Sequence, residues 1–103
     1  MELKPFVIEA NHSAPDLAFG AAQRTARRVL VGDRQTGSIT HKNHFTPVEY
    51  NPQYSRESLS EVALRLVHAD NCQFRALESA ARYITDGFGY YVFFGWAPPL
   101  EEK

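Results

Sequence analysis

The sequence predicts an α+β domain, a two-layer sandwich with the element order β-α-β-β-α(α)-β. Three observations predict it. Residues 88–96 are rich in aromatic residues and read as a strand. Two stretches with helical spacing of apolar residues each begin with a capping serine. Shorter strand-like runs precede and separate them. This is the order of a ferredoxin-like arrangement, in which a mainly antiparallel sheet carries its helices on one face, and the last strand is expected beside the first.

Length and composition narrow the class of protein. The 103 residues predict one domain over 1–103, with a frayed tail from about residue 98, and 44% hydrophobic residues are typical of a globular chain. The net charge of −1, without clustered Lys and Arg, argues against a general nucleic-acid binder. Cys72 is the only cysteine, which rules out an intramolecular disulfide or a multi-cysteine zinc site. Without an apolar run of membrane-spanning length or a signal peptide, we expect a cytoplasmic protein that does not bind membranes.

The first predicted elements are a strand and a helix. Residues 6–10 form the strand. The helix begins near Ser13, since Ser13 can cap, Pro15 is harmless in a first turn and Asp16 suits a capping box. It is expected to run to about Val31 and to end at Gly32. Its inner face is rich in alanine, which allows close packing on the sheet: Ala18, Phe19, Ala22, Ala26, Val29 and Leu30.

A hairpin is predicted next. Residues 38–41 and 44–46 are strand-like and are separated by Lys42-Asn43, which is the length of a two-residue turn. Pro47 places the returning strand toward a sheet edge.

The following segment is predicted to be helical from Ser58. A break at Asp70 gives two helices, the second with the apolar stripe Phe74, Leu77, Ala81 and Ile84. The alternative is one long helix over 58–84.

The aromatic strand has two unlike faces. Five large side chains share the face expected to meet the helices: Phe88, Tyr90, Val92, Phe94 and Trp96. The other face carries Gly89, Tyr91, Phe93 and Gly95, with almost no polar group. A strand half exposed to water normally alternates apolar with polar residues. The strand is therefore either central and buried on both faces, or its second face binds a ligand, a partner or a second copy.

That second face is the first candidate site. The predicted ligand- or partner-binding residues are Gly89, Tyr91, Phe93 and Gly95, with His41 and His44 of the hairpin at the margin. His41 and His44 would face each other across the turn, but the sequence shows no third ligand, so we predict neither a metal nor a cofactor.

Two weaker candidates remain. Arg24, Arg27 and Arg28 form a basic helix patch that could hold an anion, although a solvated helix face explains them as well. Cys72 follows Asp70, which disfavours a reactive thiolate.

These patterns favour a binding or interaction protein, expected to be a homodimer through sheet faces or edges, with a protein partner or a small apolar ligand. One alternative is a small enzyme whose pocket is framed by Tyr91, Phe93 and the His41–His44 hairpin, with a histidine as general base. Another is a nucleic-acid module that uses Arg24, Arg27 and Arg28.

Overall fold

The computed structural model describes residues 4–29, 38–48, 58–69 and 80–98. These ranges contain four strands, two α-helices and one 3-10 turn, which confirms the predicted α+β class. In chain order they are β1 (Lys4–Asn11), α1 (Pro15–Val29), a 3-10 helix (Ile39–His41), β2 (His44–Pro47), α2 (Leu59–Ala69), β3 (Ala80–Thr85) and β4 (Tyr90–Ala97).

The four strands form one mixed sheet in the order β1-β4-β3-β2. The aromatic strand β4 pairs antiparallel with β1 on one side and with β3 on the other, while β2 runs parallel to β3. The predicted pairing of the last strand with the first is confirmed, with Ile8 opposite Phe93. The ferredoxin-like order is not confirmed, because β1 lies at one end of the described sheet and β4 occupies its interior.

The two helices pack on opposite faces of this sheet. Successive strand residues point to opposite faces, and the two sets of strand positions belong to different clusters. The strand residues clustered with α1 are Phe6, Ala10, Ala81, Tyr83, Tyr91, Phe93 and Ala97. Those clustered with α2 are Ile84, Val92 and Phe94, with Val7, Tyr90 and Trp96 partly buried beside them. The prediction that both helices cover one face is therefore wrong, since each face of β4 has its own helical layer.

Both helix starts follow from local chemistry. α1 begins at Pro15, whose missing N–H is harmless there, with Asp16 in its first turn. In α2 the backbone N–H of Glu61 donates to Ser58 Oγ at 3.2 Å, as expected of a capping serine. Within the described ranges, neither α-helix is long and apolar enough to cross a membrane.

The segment before the aromatic strand differs most from prediction. Residues 80–85 form strand β3, so the helix drawn through Ala81 and Ile84 is wrong at its end. Ala81 packs under α1 and Ile84 under α2, which is the alternation of a strand between two layers. α2 is described from Leu59 to Ala69, while Asp70, where a break is predicted, and Phe74 and Leu77 fall outside the described residues.

Candidate functional site

The predicted aromatic face lies in the interior. Phe93 is 0% exposed and Tyr91 is nearly as buried, both beneath α1. The ring of Phe19 on α1 lies 5.6 Å from that of Phe93, centroid to centroid. Gly95 leaves room for a core side chain, since a Cβ there would be 3.1 Å from the ring of Phe6. This face is therefore a layer of the core within one chain, as in the doubly buried alternative.

The predicted histidine hairpin is not present. Ile39–His41 is a 3-10 turn and not a strand, and at its start the backbone N–H of Thr40 donates to Ser38 Oγ. His44 begins β2 and is exposed. Strand alternation places it on the face opposite Phe45, which packs beside the α1 core. His44 therefore lies on the other side of the sheet from Tyr91 and Phe93, and the predicted pocket is not assembled. The side chain of His41 lies outside the described residues.

The other predicted sites are dispersed. Arg24, Arg27 and Arg28 are exposed on α1, and the latter two occupy its last turn, where cations complement the helix dipole. Cys72, with Asp70, lies outside the described residues. In the part of the chain that the structure describes, no three His, Cys, Asp or Glu side chains come together as a metal site.

A group of five aromatic rings joins α1 to the sheet, and sequence reasoning missed two of its members. The ring centroid of Phe45 lies 5.1 Å from that of Phe19 in a tilted contact and 5.9 Å from that of Tyr83 in an edge contact. The Tyr83 ring in turn lies 5.4 Å from that of Phe93. Burial raises the pKa of the Tyr83 phenol, and the nearby Tyr91 phenol raises it further. Tyr83 lies in a segment predicted to be helical. The spacing that places Ala81 and Tyr83 on the same face of a strand was therefore not used.

A polar cluster on the α2 side connects three elements. Ser60 Oγ of α2 donates to Glu9 Oε1 of β1 and lies 3.2 Å from Tyr90 Oη of β4. Burial is the main cause that raises the pKa of the Tyr90 phenol, and Glu9 adds to it while Ser60 opposes it. A carboxylate is a poor base for a serine hydroxyl near neutral pH. The geometry therefore serves to position α2 on the sheet, and nothing in the sequence pattern had singled out Ser60.

The β3–β4 hairpin, residues 85–90, is the most distinctive exposed feature. Asp86 Oδ1 accepts the backbone N–H of Phe88 at 2.7 Å and that of Tyr90 at 3.3 Å. Thr85 Oγ1 accepts the N–H of Gly87 at 3.1 Å and donates to the Tyr90 carbonyl at 2.8 Å. Gly87 and Gly89 both have positive φ, at 82° and 93°. Two adjacent side chains at the end of β3 thus hold the backbone of this turn from Gly87 to Tyr90.

The turn of the β3–β4 hairpin exposes one large side chain, that of Phe88, to solvent. Phe88 is 92% exposed, the most exposed of the large apolar residues described. The prediction that it would face the helices is wrong, because it precedes β4 and lies in the turn. The Asp86-Gly87 pair, which follows directly on the segment predicted to be helical, is a hairpin signal, and this was the clue in the sequence.

The hairpin lies at the acidic end of the molecule. α1 begins just after β1 ends, and Ser60 near the start of α2 reaches Tyr90, so both helices begin at this end. Their first turns carry exposed Asp16 and Glu61, and Glu9 is nearby. The last turn of α1, at the opposite end, carries the cations Arg27 and Arg28.

Comparison with known proteins adds no relative. No family model, curated protein or solved structure matches this chain.

Proposed function

We propose that this chain is a small binding protein that docks onto a partner protein through the β3–β4 hairpin, with Phe88 as its anchor. The observation that carries the proposal is the contrast between a ring that is 92% exposed and a backbone fixed by side-chain hydrogen bonds. Isolated exposed apolar residues are common. A phenylalanine exposed almost completely on a turn with defined geometry is a more specific arrangement.

The energetics favour this use of the turn. Binding normally costs free energy to order loops and side chains at the interface. Here Asp86 and Thr85 already fix the backbone on either side of Phe88, so little backbone freedom remains to be lost. Burial of a full phenylalanine side chain contributes about 1.5–3 kcal/mol. A single anchor of this kind is typical of interface hot spots.

The surroundings define the partner's chemistry. Asp16 and Glu61 lie in the first turns of the two helices at this end, and Glu9 is also exposed. A matching surface would have an apolar pocket for one phenyl ring with Lys or Arg at its rim, where charge complementarity speeds association. The alternative enzyme pocket and the basic patch of Arg24, Arg27 and Arg28 have no comparable assembly of groups.

The test is competitive photo-crosslinking. A photoreactive phenylalanine analogue at position 88 is expected to crosslink a discrete protein in host lysate, and unlabelled wild-type chain should suppress that product. A Phe88→Ser competitor should require about thirtyfold more protein, since a hot spot is worth about 2 kcal/mol. Arg24→Ser, at an exposed position on α1, is the matched control and should compete like wild type. Equal competition by Phe88→Ser would remove the anchor role.

A further inference from the structure

We propose that β1 pairs with β1 of a second copy of this chain, so that two four-stranded sheets join into one continuous sheet. β1 is the outer strand in the order β1-β4-β3-β2, and its eight residues pair with β4 on one side. No strand within the described ranges pairs with its other side. A long edge strand offers backbone donors and acceptors to a second strand. This interface is separate from the hairpin anchor and does not depend on it.

The orientation of α1 shows what borders this edge on the first face. Phe19 contacts Phe45 of β2, and the Gln23 amide donates to the Lys42 carbonyl at 2.9 Å, so this side of α1 points toward β2. At 3.6 residues per turn, Leu17 and Ala21 lie on the opposite side of the helix. They therefore border β1. Leu17 is 50% exposed although it is a large apolar residue.

α2 shows the same arrangement on the second face. Ser60 donates to Glu9, so this side of α2 points toward β1. Leu64 follows four residues later and shares that side of the helix. Four helical residues advance about 6 Å, which is about two residues of a strand, so Leu64 lies near the level of Val7. Leu64 is 51% exposed.

Two of the three large exposed apolar residues in the described part of the chain therefore lie at one edge. Leu17 and Leu64 border β1 from opposite faces, and Phe88 is the remaining member of that set. Val7 and Ile8, in the strand itself, are partly buried and extend the two cores to the edge. An edge strand with apolar groups on both sides is suited to a partner that has the same layers. A second copy of this chain has them.

Symmetry then specifies the pairing. A two-fold axis perpendicular to the sheet makes the two strands antiparallel and keeps each helix layer beside its own copy. In an antiparallel pair, directly opposed residues have their side chains on the same face of the sheet. The numbers of two opposed residues therefore add up to an even total, and the residue at half that total lies opposite the same residue of the other copy. Pro5 has no N–H to donate, so residues 6–11 remain to pair with the second copy. The middle of that range falls between Ile8 and Glu9, so one of these two residues lies at the axis. Glu9 would oppose a like charge, so Ile8 is the residue at the axis.

The charges are compatible with this symmetry. Because the axis reverses the direction of each helix, the acidic first turn of α1 approaches the basic last turn of the other α1. The first turn carries Asp16 and the last turn carries Arg27 and Arg28, all exposed. The antiparallel arrangement also aligns the helix dipoles favourably. With Ile8 at the axis, Glu9 faces Val7 of the other copy.

Sedimentation equilibrium tests the proposal. The wild type is expected to form a species of twice the 11.7 kDa chain mass. The double variant Leu17→Glu, Leu64→Glu should shift to the single-chain mass with an unchanged circular dichroism spectrum, because both side chains are half exposed. Phe88→Glu, an equally drastic change at the hairpin, should remain a dimer. A monomeric wild type at high micromolar concentration, or an unchanged dimer in the double variant, would overturn the proposal.

A crosslink tests the register independently of whether the double variant folds. In a Cys72→Ser background, Ile8→Cys is expected to form a disulfide-linked dimer on mild oxidation, since residues opposed across an antiparallel pair approach closely enough. Thr46→Cys, at an exposed position of β2, is the matched control and should stay monomeric on a denaturing gel. Crosslinking at Thr46 equal to that at Ile8 would contradict pairing through β1.

Discussion

The ring of Phe93 lies 5.6 Å from the ring of Phe19, so the central strand contacts α1 on the face that its sequence alone had left open. The opposite face of the same strand contacts α2 through Val92 and Phe94. β4 is thus buried from both sides by helices of its own chain. This relationship decides which aromatic residues stabilise the fold and which are free to bind.

The first prediction compares two phenylalanines. Phe93→Ala is expected to lower the free energy of unfolding by about 3–5 kcal/mol, because it opens a cavity among packed rings. Phe88→Ala should change it by less than about 0.5 kcal/mol, since the ring is exposed. Urea denaturation followed by circular dichroism measures both. Phe93→Lys should fail to fold, whereas a folded Phe93→Lys chain would mean that this face is not core.

The second prediction concerns the two glycines of the hairpin. Both have positive φ, which costs a residue with a Cβ about 1–2 kcal/mol. At Gly89 a Cβ would also lie 3.1 Å from the carbonyl oxygen of His12, whereas at Gly87 it would meet nothing within 4 Å. Gly89→Ala should therefore destabilise the protein more than Gly87→Ala in thermal denaturation. Equal losses would show that backbone strain alone governs the turn.

The third prediction tests the close packing of α1. Ala22 is fully buried between the helix and the sheet. Ala22→Leu is expected to cost about 1–3 kcal/mol because the larger side chain forces the layers apart. Arg24→Leu on the exposed side of the same helix is the control, with an expected change within about 0.5 kcal/mol. A neutral Ala22→Leu variant would mean that the interface has unfilled space.

The fourth prediction is a loss of stability at alkaline pH. Burial, assisted by Tyr91, raises the pKa of the Tyr83 phenol above its ordinary value of 10.0, so folding favours the neutral form. Below the ordinary pKa both states are protonated and this contribution is fully present. As the pH rises through 10 the unfolded chain releases its proton first, and the contribution is lost through the folded pKa.

Urea denaturation at a series of pH values from about 9 to 11 measures that loss, and the range brackets the ordinary tyrosine pKa. Tyr83→Phe keeps the ring contacts and removes the ionisable group, so its stability should decline less steeply over this range. Tyr90, whose pKa is also raised, remains in both proteins and sets a common background. Identical slopes for the two proteins would exclude Tyr83 as a contributor.

The fold was predictable in those segments whose residues fit only one type of secondary structure. β1, the start of α1 and the capped start of α2 follow from local residues. β3 was not predictable, because Ala80, Ala81 and Arg82 are good helix formers, and Ala81 and Ile84 also fit helical spacing. Its strand conformation depends on pairing with β4 and β2, which local sequence does not encode. The same long-range pairing decides that a second helical layer covers β4.

The candidate site was less predictable than the fold. The rings of Tyr91 and Phe93 look like a binding face until the position of α1 is known. Phe88 fits the strand alternation, and only the turn that begins at Asp86 removes it from the sheet. The sequence also does not show which side of each helix borders β1. That side is known only when contacts such as that of Ser60 with Glu9 fix the orientation of each helix about its own axis.

The indole of Trp96 is an intrinsic fluorescence probe of the contact between α2 and the sheet. It is the single tryptophan of the sequence, and its Nε1–H donates to the Val67 carbonyl at 3.0 Å near the end of α2. The His68 imidazole meets it edge to face at 6.3 Å. Detachment of α2 from the sheet would move this indole into water and shift its emission to the red. Fluorescence can therefore follow local opening of one layer separately from loss of the α1 core.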